Sequence, residues 1–370
     1  TRAPHHSRVS GAATGQWRAM RANPWTHALR TGPVWLALGV LMIGCSESPA
    51  PIAELSGQTM GTSYSIKLSP APDEDQRTRL QQEVENRLEA INAQMSTYRP
   101  DSDLMRFNRA RSTEWLAVPE SLVELVRRAA TISRLSEGRY DVTVGPLVDL
   151  WGFGGEGPRG APPAAADIAQ TLGRIGYQHL QARGSPPALR KAVPGLQLDL
   201  SSIAKGWAVD ELARLLHNRG YESFLIEIGG EVRAQGTKIS GQPWRIAVER
   251  PLPGQRTVQG TIEIRDFAVA TSGDYRNFFE DAGRRYSHTI DPLSGQAIQH
   301  RLAAVTVVAD DCTDADAWAT ALMALGDQRG PALADALGLK ALFNIRGERG
   351  WRTEISRALQ TAAVWHNAGR

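Results

Sequence analysis

The chain contains 370 residues, of which 42% are hydrophobic and 22% are charged. These are ordinary values for a folded globular protein, and they exclude a disordered, collagen-like or polytopic membrane protein. The 42 Lys and Arg residues outnumber the 39 Asp and Glu residues, giving a formal net charge of +3, and two cysteines are too few for a disulfide scaffold.

The first 44 residues differ from the rest because they contain five arginines and no acidic residue. An apolar run over 33–43, too short to span a bilayer, leads directly to Gly44 and Cys45. This order is typical of an export signal, and a start at Met20 would give it the usual length. We therefore predict a leader and signal peptide over 1–44, a tether over 45–53 and one compact domain over 54–360.

The end of the apolar run, Met-Ile-Gly-Cys, resembles a bacterial lipobox, which predicts Cys45 as a lipidated N-terminus. The alternative is a plain secretory signal with an incidental cysteine. Lipidation would anchor the chain to a membrane facing the bacterial periplasm, for which we favour the inner membrane. Without the five leader arginines the mature chain has 37 basic and 39 acidic residues, so its net charge is −2.

The remaining segments predict secondary structure in chain order. Alternation predicts a strand over 64–68, and apolar stripes predict helices over 74–94 and 119–136. A Gly- and Pro-rich loop is predicted over 152–165, a strand over 196–200 and a helix over 203–218. Later strands are predicted over 224–228, 244–249, 258–264, 267–270, 303–308 and 341–345, with one helix over 314–325. Because strands cluster together, we predict an α+β fold with mixed, largely antiparallel sheets and packed helices.

Some familiar sequence patterns are present, but the residues around them do not support the site that each pattern usually indicates. Residues 152–157 match G-x-G-x-x-G, but prolines follow where a dinucleotide site needs a helix. The acidic run over 310–316 lacks the glycine and distal glutamate of an EF-hand. Basic residues form no stripe interleaved with aromatic residues, so we expect no nucleic-acid partner.

The segment Asp199-Leu-Ser-Ser-Ile-Ala-Lys-Gly combines a strand end with a helix N-terminus that Ser201 or Ser202 could cap. Lys205 falls in the first helical turn, where the helix dipole disfavours a cation. An anionic ligand held there would explain the lysine. The alternative is a solvated lysine beside an ordinary cap.

Three further groups carry possible chemistry. Asp316 and Thr320 share one helix face, away from the apolar stripe that contains Trp318. Their side-chain oxygens suit a hard cation such as Mg²⁺. The alternative is an acidic first turn that complements the helix dipole. His288 precedes an Asp-Pro turn and could accept a proton or bind phosphate, although a structural hydrogen bond would also explain it. The glycine pair before Glu231 permits close approach of a ligand, which alone is a weak signal.

Taken in order, these motifs resemble the ApbE family of FAD:protein FMN transferases. The segments that carry the resemblance begin at Met60 (Met-Gly-Thr-Ser-Tyr-Ser-Ile), Met95 (Met-Ser-Thr-Tyr-Arg-Pro), Tyr140 (Tyr-Asp-Val-Thr-Val-Gly-Pro), Asp199, Ile228 (Ile-Gly-Gly-Glu), Ala270 (Ala-Thr-Ser-Gly-Asp-Tyr), Ser287 (Ser-His-Thr-Ile-Asp-Pro) and Ala315 (Ala-Asp-Ala-Trp-Ala-Thr). They extend over roughly residues 55–345, and their ordered combination is more specific than any one of them.

The resemblance implies Mg²⁺-dependent cleavage of FAD, with FMN attached to a Thr or Ser of an acceptor flavoprotein and AMP released. It implies FAD contacts at Met60, Tyr98, Tyr140, Asp141, Asp199, Lys205 and Ile298. It implies Mg²⁺ ligands at Ser202, the backbone around Ala204, Asp316 and Thr320, and catalytic roles for His288 and Asp316. Ser202 and Lys205 stand where some relatives have Thr and Glu.

Two other functions use the same residues. The first is an FAD pyrophosphatase that passes FMN to water, and the second is a non-enzymatic, FAD-binding periplasmic lipoprotein. The sequence does not separate them from the transferase, because the acceptor protein is not part of this chain. A covalent FMN adduct on an acceptor would distinguish transfer from hydrolysis.

Overall fold

The computed structural model describes residues 52–154, 160–252, 257–275, 277–348, 350–362 and 364–368. The helices are α1 (Glu74–Met95), α2 (Asp103–Arg109), α3 (Glu120–Leu135), α4 (Gly145–Leu150), α5 (Ala165–Leu172), α6 (Ala204–Asn218), α7 (Cys312–Leu337) and α8 (Arg357–Ala362). A short 3₁₀ turn covers Tyr177–His179. The predicted leader and almost all of the predicted tether, with Cys45, lie outside the described residues.

The strands fall mostly in the second half. They are β1 (Ala53–Thr59), β2 (Thr62–Leu68), β3 (Leu116–Ala117), β4 (Leu180–Gly184), β5 (Pro187–Lys191), β6 (Phe224–Ile228), β7 (Glu231–Gln235), β8 (Trp244–Glu249), β9 (Val258–Ile264), β10 (Ala268–Gly273), β11 (Phe278–Asp281), β12 (Arg284–Ser287), β13 (Leu302–Ala309), β14 (Lys340–Gly347), β15 (Gly350–Ile355) and β16 (Trp365–Asn367). Helices accompany antiparallel sheets, so the α+β prediction is confirmed.

The local sequence of α1 determines where the helix begins and which of its faces is buried. Asp73 accepts the backbone N–H of Gln76, whose side chain accepts the backbone N–H of Asp73, so a capping box begins the helix. The apolar stripe predicted from the sequence, which includes Leu80, Val84 and Leu88, is buried. The predicted helices over 74–94, 119–136 and 203–218 correspond to α1, α3 and α6 within two residues at each end.

Helix α7 extends well beyond the predicted 314–325. Its backbone leaves helical geometry at Gly326, where φ is 83° and ψ is −175°, and a second helical stretch then continues to Leu337. The positive φ explains why a glycine stands at this break. The predicted segment is therefore the first of two helical stretches, and it is the one that carries Asp316.

The strand predicted over 196–200 is wrong. The backbone of Leu198 is bonded on both its N–H and its C=O by the side chain of Asn108, at 2.8 and 2.9 Å. Asp199 N–H donates to the carbonyl of Val142, and Lys191 donates to the carbonyl of Leu196. The apolar alternation is real, but side chains and the turn residue Val142 bond this backbone in place of a neighbouring strand.

The largest sheet has the strand order β1-β2-β6-β7-β10-β13-β14-β15, and its neighbours pair antiparallel. Its alternating residues form two apolar surfaces. One surface packs against helices that include α1, α6 and α7. The other packs partly against the three-stranded sheet β16-β9-β8, which covers Val232, Val269 and Leu342. We call these surfaces the helix face and the open face.

The largest sheet opens between β7 and β10. These strands pair only where Ala268 and Val269 face Arg233 and Val232. Residues 270–273 of β10 continue along β13 but have no partner on the β7 side among the described strands. The space on the helix face of the sheet is therefore continuous with the space on the open face at this point.

The predicted loop over 152–165 is described only in part. It is irregular at 152–154 and 160–164, and the remainder of the G-x-G-x-x-G match lies outside the described residues.

In the described part of the chain, each helix is too short or too polar to cross a membrane.

Candidate functional site

A cleft with a volume of about 720 Å³ lies at the opening in the sheet. This volume is within the range usual for small-molecule and cofactor sites. Its lining contains most of the residues that the sequence singled out, namely Tyr140, Asp141, Asp199, Ser202, Lys205, His288, Asp316 and Thr320. Segments separated by up to 180 residues in the chain thus meet in one place.

The charged centre of the cleft is a buried cluster of one lysine and two carboxylates. Lys205 Nζ lies 2.9 Å from Glu231 Oε1 and 3.8 Å from Asp316 Oδ1. The two carboxylate side chains are each only 6% exposed. The lysine that seemed misplaced against the helix dipole is therefore compensated by carboxylates of this chain.

One lysine cannot neutralise two carboxylates, so this cluster has a formal surplus of one negative charge. Burial raises the pKa of Asp316 and of Glu231, because a buried carboxylate loses its hydration. Burial alone would lower the pKa of Lys205, but Asp316 and Glu231 outweigh that effect and raise it. The lysine stays charged. Burial raises the pKa of Glu231 to about 7, so the surplus negative charge is complete only above that pH, where it favours a bound cation.

Helix α6 approaches α7 closely because residue 206 is a glycine. A Cβ at Gly206 would overlap the carbonyl of Cys312 and lie 2.9 Å from the Cβ of Asp316. The bare backbone instead allows Gly206 N–H to donate to Asp316 Oδ2 at 3.0 Å. This contact and the nearby lysine fix the orientation of the Asp316 carboxylate.

The predicted serine cap of α6 is wrong. The residue before the helix is Ile203, and no side chain caps it. Ser202 Oγ donates to the Tyr140 hydroxyl at 3.1 Å, and Ser201 N–H donates to Asp199 Oδ1 at 2.8 Å. A turn held by Asp199 precedes the helix, so the Ser202 hydroxyl lines the cleft and is not used as a cap.

Tyr140 and Asp141 enter the cleft from the turn before α4. Burial raises the pKa of Tyr140, so its hydroxyl remains protonated. The Asp141 carboxylate accepts the N–H and the hydroxyl of Thr143 and the N–H of Tyr177. Asp141 therefore organises the wall of the cleft through these three hydrogen bonds, besides lining it.

His288 lines the same cleft as the cluster, and its tautomer is defined by a hydrogen bond. Its Nδ1 is 3.0 Å from the carbonyl oxygen of Asn277, and a carbonyl only accepts, so Nδ1 carries the proton. Nε2 then holds a lone pair. Burial lowers the pKa of His288, and Lys205 acts in the same direction, while the Asn277 contact and Asp274 oppose them. The neutral imidazole can accept a proton.

Four predicted residues lie outside the lining of the cleft. Met60 is in the β1–β2 turn with φ of 49° and packs against the core, as does Ile298. Tyr98 follows α1 and is 76% exposed. Ala204 is buried at the start of α6. Their assignments to FAD and metal remain predictions.

Among the lining residues to which the sequence assigned no role, Glu231 and Arg139 have the clearest structural role. Glu231 was part of the glycine-pair motif, but its role follows only from the strand pairing, which sets it on the helix face opposite Lys205. Arg139 also lines the cleft and donates to Asp291 at 2.6 Å, while its buried Nε has no acceptor among the described residues. Its signal in the sequence is only its position before Tyr140.

The oxygen donors of the cleft fit a hard cation. Asp316 and Thr320 line it one helical turn apart, and Glu231 Oε2 is buried without a donor in the described part of the chain. No group of three or more His, Cys, Asp and Glu side chains gathers for a metal among the described residues. A site here would therefore need hydroxyl, backbone or substrate oxygens, which are ligands that Mg²⁺ accepts.

Comparison with known proteins agrees with the ordered motifs. The sequence model of the ApbE family matches residues 60–343. A curated FAD:protein FMN transferase from Vibrio cholerae serotype O1 is 45% identical over 332 residues, covering 90% of this chain and 98% of the relative. One from Salmonella typhimurium is 38% identical, covering 90% and 97%.

Solved structures show the same relationship. The flavin transferase ApbE from Vibrio cholerae superimposes with a TM-score of 0.78 at 44% identity, covering 85% of this chain and 99% of that one. The apo flavinyl transferase ApbE from Pseudomonas stutzeri gives a TM-score of 0.76 at 42% identity, covering 84% and 96%. The chain belongs to the ApbE family.

Proposed function

We propose that this chain transfers FMN from FAD to a Thr or Ser hydroxyl of an acceptor flavoprotein, with Mg²⁺ required and AMP released. The observation that carries the proposal is that one cleft holds both a buried cluster with surplus negative charge and a neutral histidine. The names of the relatives support the same reaction. A cofactor-sized cleft beside these groups is suited to a pyrophosphate substrate.

In the proposed reaction the acceptor oxygen attacks the phosphorus on the FMN side of FAD. A new phosphoester bond forms, the bond to the AMP phosphate breaks, and AMP leaves. His288 Nε2 accepts the hydroxyl proton, because Nδ1 is already protonated and held by Asn277.

Asp316 and Thr320 would hold Mg²⁺, with the hydroxyl of Ser202, which lines the same cleft, as a further ligand. When bound, Mg²⁺ neutralises charge on the pyrophosphate oxygens. The surplus negative charge of the Lys205, Glu231 and Asp316 cluster supports this assignment. The fixed Asp316 orientation means that little reorganisation is needed on binding.

The transferase proposal is tested by incubating the protein with FAD, Mg²⁺ and a bacterial extract that contains flavoproteins. We expect a fluorescent protein band that survives denaturation, and peptide mass spectrometry should place FMN on a Thr or Ser. EDTA should abolish the band. Release of FMN and AMP without any protein adduct would instead establish a pyrophosphatase.

The pH profile tests the role of His288. Its lowered pKa means that the neutral base persists below the usual histidine value of about 6.5. We therefore expect the rate of transfer to fall only as the pH drops below that value. His288→Gln should lower the rate by about 10²–10³-fold and remove this acidic limb. An unchanged limb in the variant would show that another group is the base.

We propose further that Cys45 carries a lipid that anchors the protein at the inner membrane, facing the periplasm. The support is the sequence order of basic leader, apolar run and Gly-Cys. Expression with an alkyne fatty acid should label the wild-type protein and not Cys45→Ser, and the variant should leave the membrane fraction. Cys312 offers a control, since it is a buried thiol. Labelling that persists in Cys45→Ser would contradict the anchor.

A further inference from the structure

Asp210 is a buried carboxylate of α6 that lies outside the lining of the cleft and takes no direct part in the proposed reaction. The residue is only 7% exposed and accepts four hydrogen bonds. Its Oδ1 accepts the N–H of Cys312 at 3.0 Å and a guanidinium N–H of Arg233 at 2.6 Å. Its Oδ2 accepts the N–H of Thr313 at 2.8 Å and the hydroxyl of Thr313 at 2.6 Å. One carboxylate of α6 therefore contacts both α7 and β7.

The contacts to α7 complete the N-terminus of that helix. The first N–H groups of a helix have no acceptor within the helix itself. Of the three that follow the N-cap Asp311, one is accepted by the Asp311 side chain. The other two, those of Cys312 and Thr313, are accepted by Asp210. The first turn of α7 is therefore held from another helix, and Asp316 lies one turn after Cys312.

Helices α6 and α7 are joined at two points as a result. Gly206 N–H donates to Asp316 Oδ2, and Asp210 accepts the N–H of Cys312. Gly206 and Asp210 are one turn apart on α6, and Cys312 and Asp316 are one turn apart on α7. Two joints fix the rotation of α7 about its own axis, which a single joint would leave free. That rotation decides where the Asp316 carboxylate points.

Helix α6 is also joined twice to β7, and the two pairs have opposite polarity. Lys205 of the helix pairs with Glu231 of the strand, whereas Asp210 of the helix pairs with Arg233 of the strand. Glu231 and Arg233 are two residues apart and share one face of β7. A shift of α6 along the strand would bring Asp210 towards Glu231, and two buried carboxylates repel each other. The two pairs therefore set the register of α6 on β7.

We propose that Asp210 is a positioning residue that holds the Asp316 carboxylate in the orientation that binds Mg²⁺. The inference rests on the proposed function, because it concerns the cation of that reaction. The charge cluster consists of Lys205 on α6, Asp316 on α7 and Glu231 on β7, and Asp210 belongs to the first of these elements and contacts the other two. It acts through the backbone of α7 and not by contact with the substrate. The alternative is an ordinary helix cap that contributes only to stability.

Asp210→Asn tests the proposal because it keeps the size of the side chain. An amide has only one oxygen, so its NH₂ group would face an N–H donor whichever way it is turned. We expect the Mg²⁺ concentration that gives half of the thermal stabilisation, measured without FAD, to rise by about 10-fold. The KM for Mg²⁺ in the transfer reaction should rise in parallel, whereas the KM for FAD at saturating Mg²⁺ should stay the same. No rise in the Mg²⁺ concentration would overturn the proposal.

Asp311→Ala is the matched control, because Asp311 caps the same helix through Asp314 and pairs with Arg128 of α3. It should lower the unfolding temperature and leave the dependence on Mg²⁺ concentration unchanged. An equal rise in the Mg²⁺ concentration for Asp311→Ala and Asp210→Asn would overturn the proposal, because loss of any cap of α7 would then explain the effect.

Thr313→Val serves if Asp210→Asn does not fold, since it removes one of the four hydrogen bonds and keeps both backbone contacts to Asp210. It should raise the same Mg²⁺ concentration by about 3-fold. An unchanged value would overturn the proposal.

A double variant tests whether Asp210 acts through Asp316. In the background of Asp316→Asn, adding Asp210→Asn should cause no further loss of the transfer rate, because two residues that act through one group do not have additive effects. Losses that multiply would show that Asp210 acts independently of Asp316 and would overturn the proposal.

The two hypotheses can fail separately. If the wild-type protein labels no acceptor, the proposed function is wrong. If it labels the acceptor and Mg²⁺ stabilises it, while Asp210→Asn behaves like Asp311→Ala, the transferase remains and the positioning role of Asp210 is wrong.

Discussion

Asp316→Asn should lower the rate of FMN transfer by about 10³-fold, the equivalent of about 4 kcal/mol of transition-state stabilisation. The side chain keeps its size, and Asn can still accept the N–H of Gly206, so the α6–α7 contact should survive. What disappears is the carboxylate charge beside Lys205. Initial rates with saturating FAD and acceptor would measure the effect.

A second readout separates metal binding from folding. Thermal unfolding of the wild-type protein should shift upward with Mg²⁺ in the absence of FAD, because a ligand of the native state stabilises it. Asp316→Asn should lose that shift. Asp314→Asn is a matched control, since Asp314 lies on the same helix but pairs with Arg128 outside the cleft. A normal Mg²⁺ shift in Asp316→Asn would contradict the metal assignment.

The sequence predicted the long elements well where one pattern dominated. The stripe of α1 is a single apolar surface against the sheet, and β6 and β8 have the predicted bounds. Residues 196–200 show the limit of this reasoning. Their alternation predicts a strand, but Asn108, about 90 residues away, takes the hydrogen bonds of Leu198. A distant side chain that replaces a strand partner leaves no local signal.

The sequence identified many of the side chains that form the site, but it predicted only some of the contacts between them. Asp316, Thr320 and His288 do meet in one cleft. The partner of Lys205 was not predicted, because Glu231 reaches it only through the pairing of β6 with β7 and the packing of α6 on that hairpin. For Tyr98 the family resemblance implies a flavin contact, but its side chain is exposed here.

The Lys205–Glu231 pair leads to the prediction with the largest effect on stability. Lys205→Met should lower the free energy of unfolding by about 3 kcal/mol, since two buried carboxylates would lose their compensating charge. Urea unfolding at pH 7 in EDTA would measure it. Lys340→Met is the control, because the partner of Lys340, Asp310, is 92% exposed and solvated.

A double variant distinguishes charge from packing. Lys205→Met with Glu231→Gln removes both charges of the pair and should recover about 2 kcal/mol of the loss, because the costs of contacting residues do not add. If the loss came from packing alone, Glu231→Gln would recover nothing. The metal provides a further check, since Lys205→Met removes the lysine charge that competes with a bound cation for the two carboxylates. Mg²⁺ should therefore stabilise Lys205→Met more than it stabilises the wild-type protein, and an equal effect on both would mean that the cluster does not hold the cation.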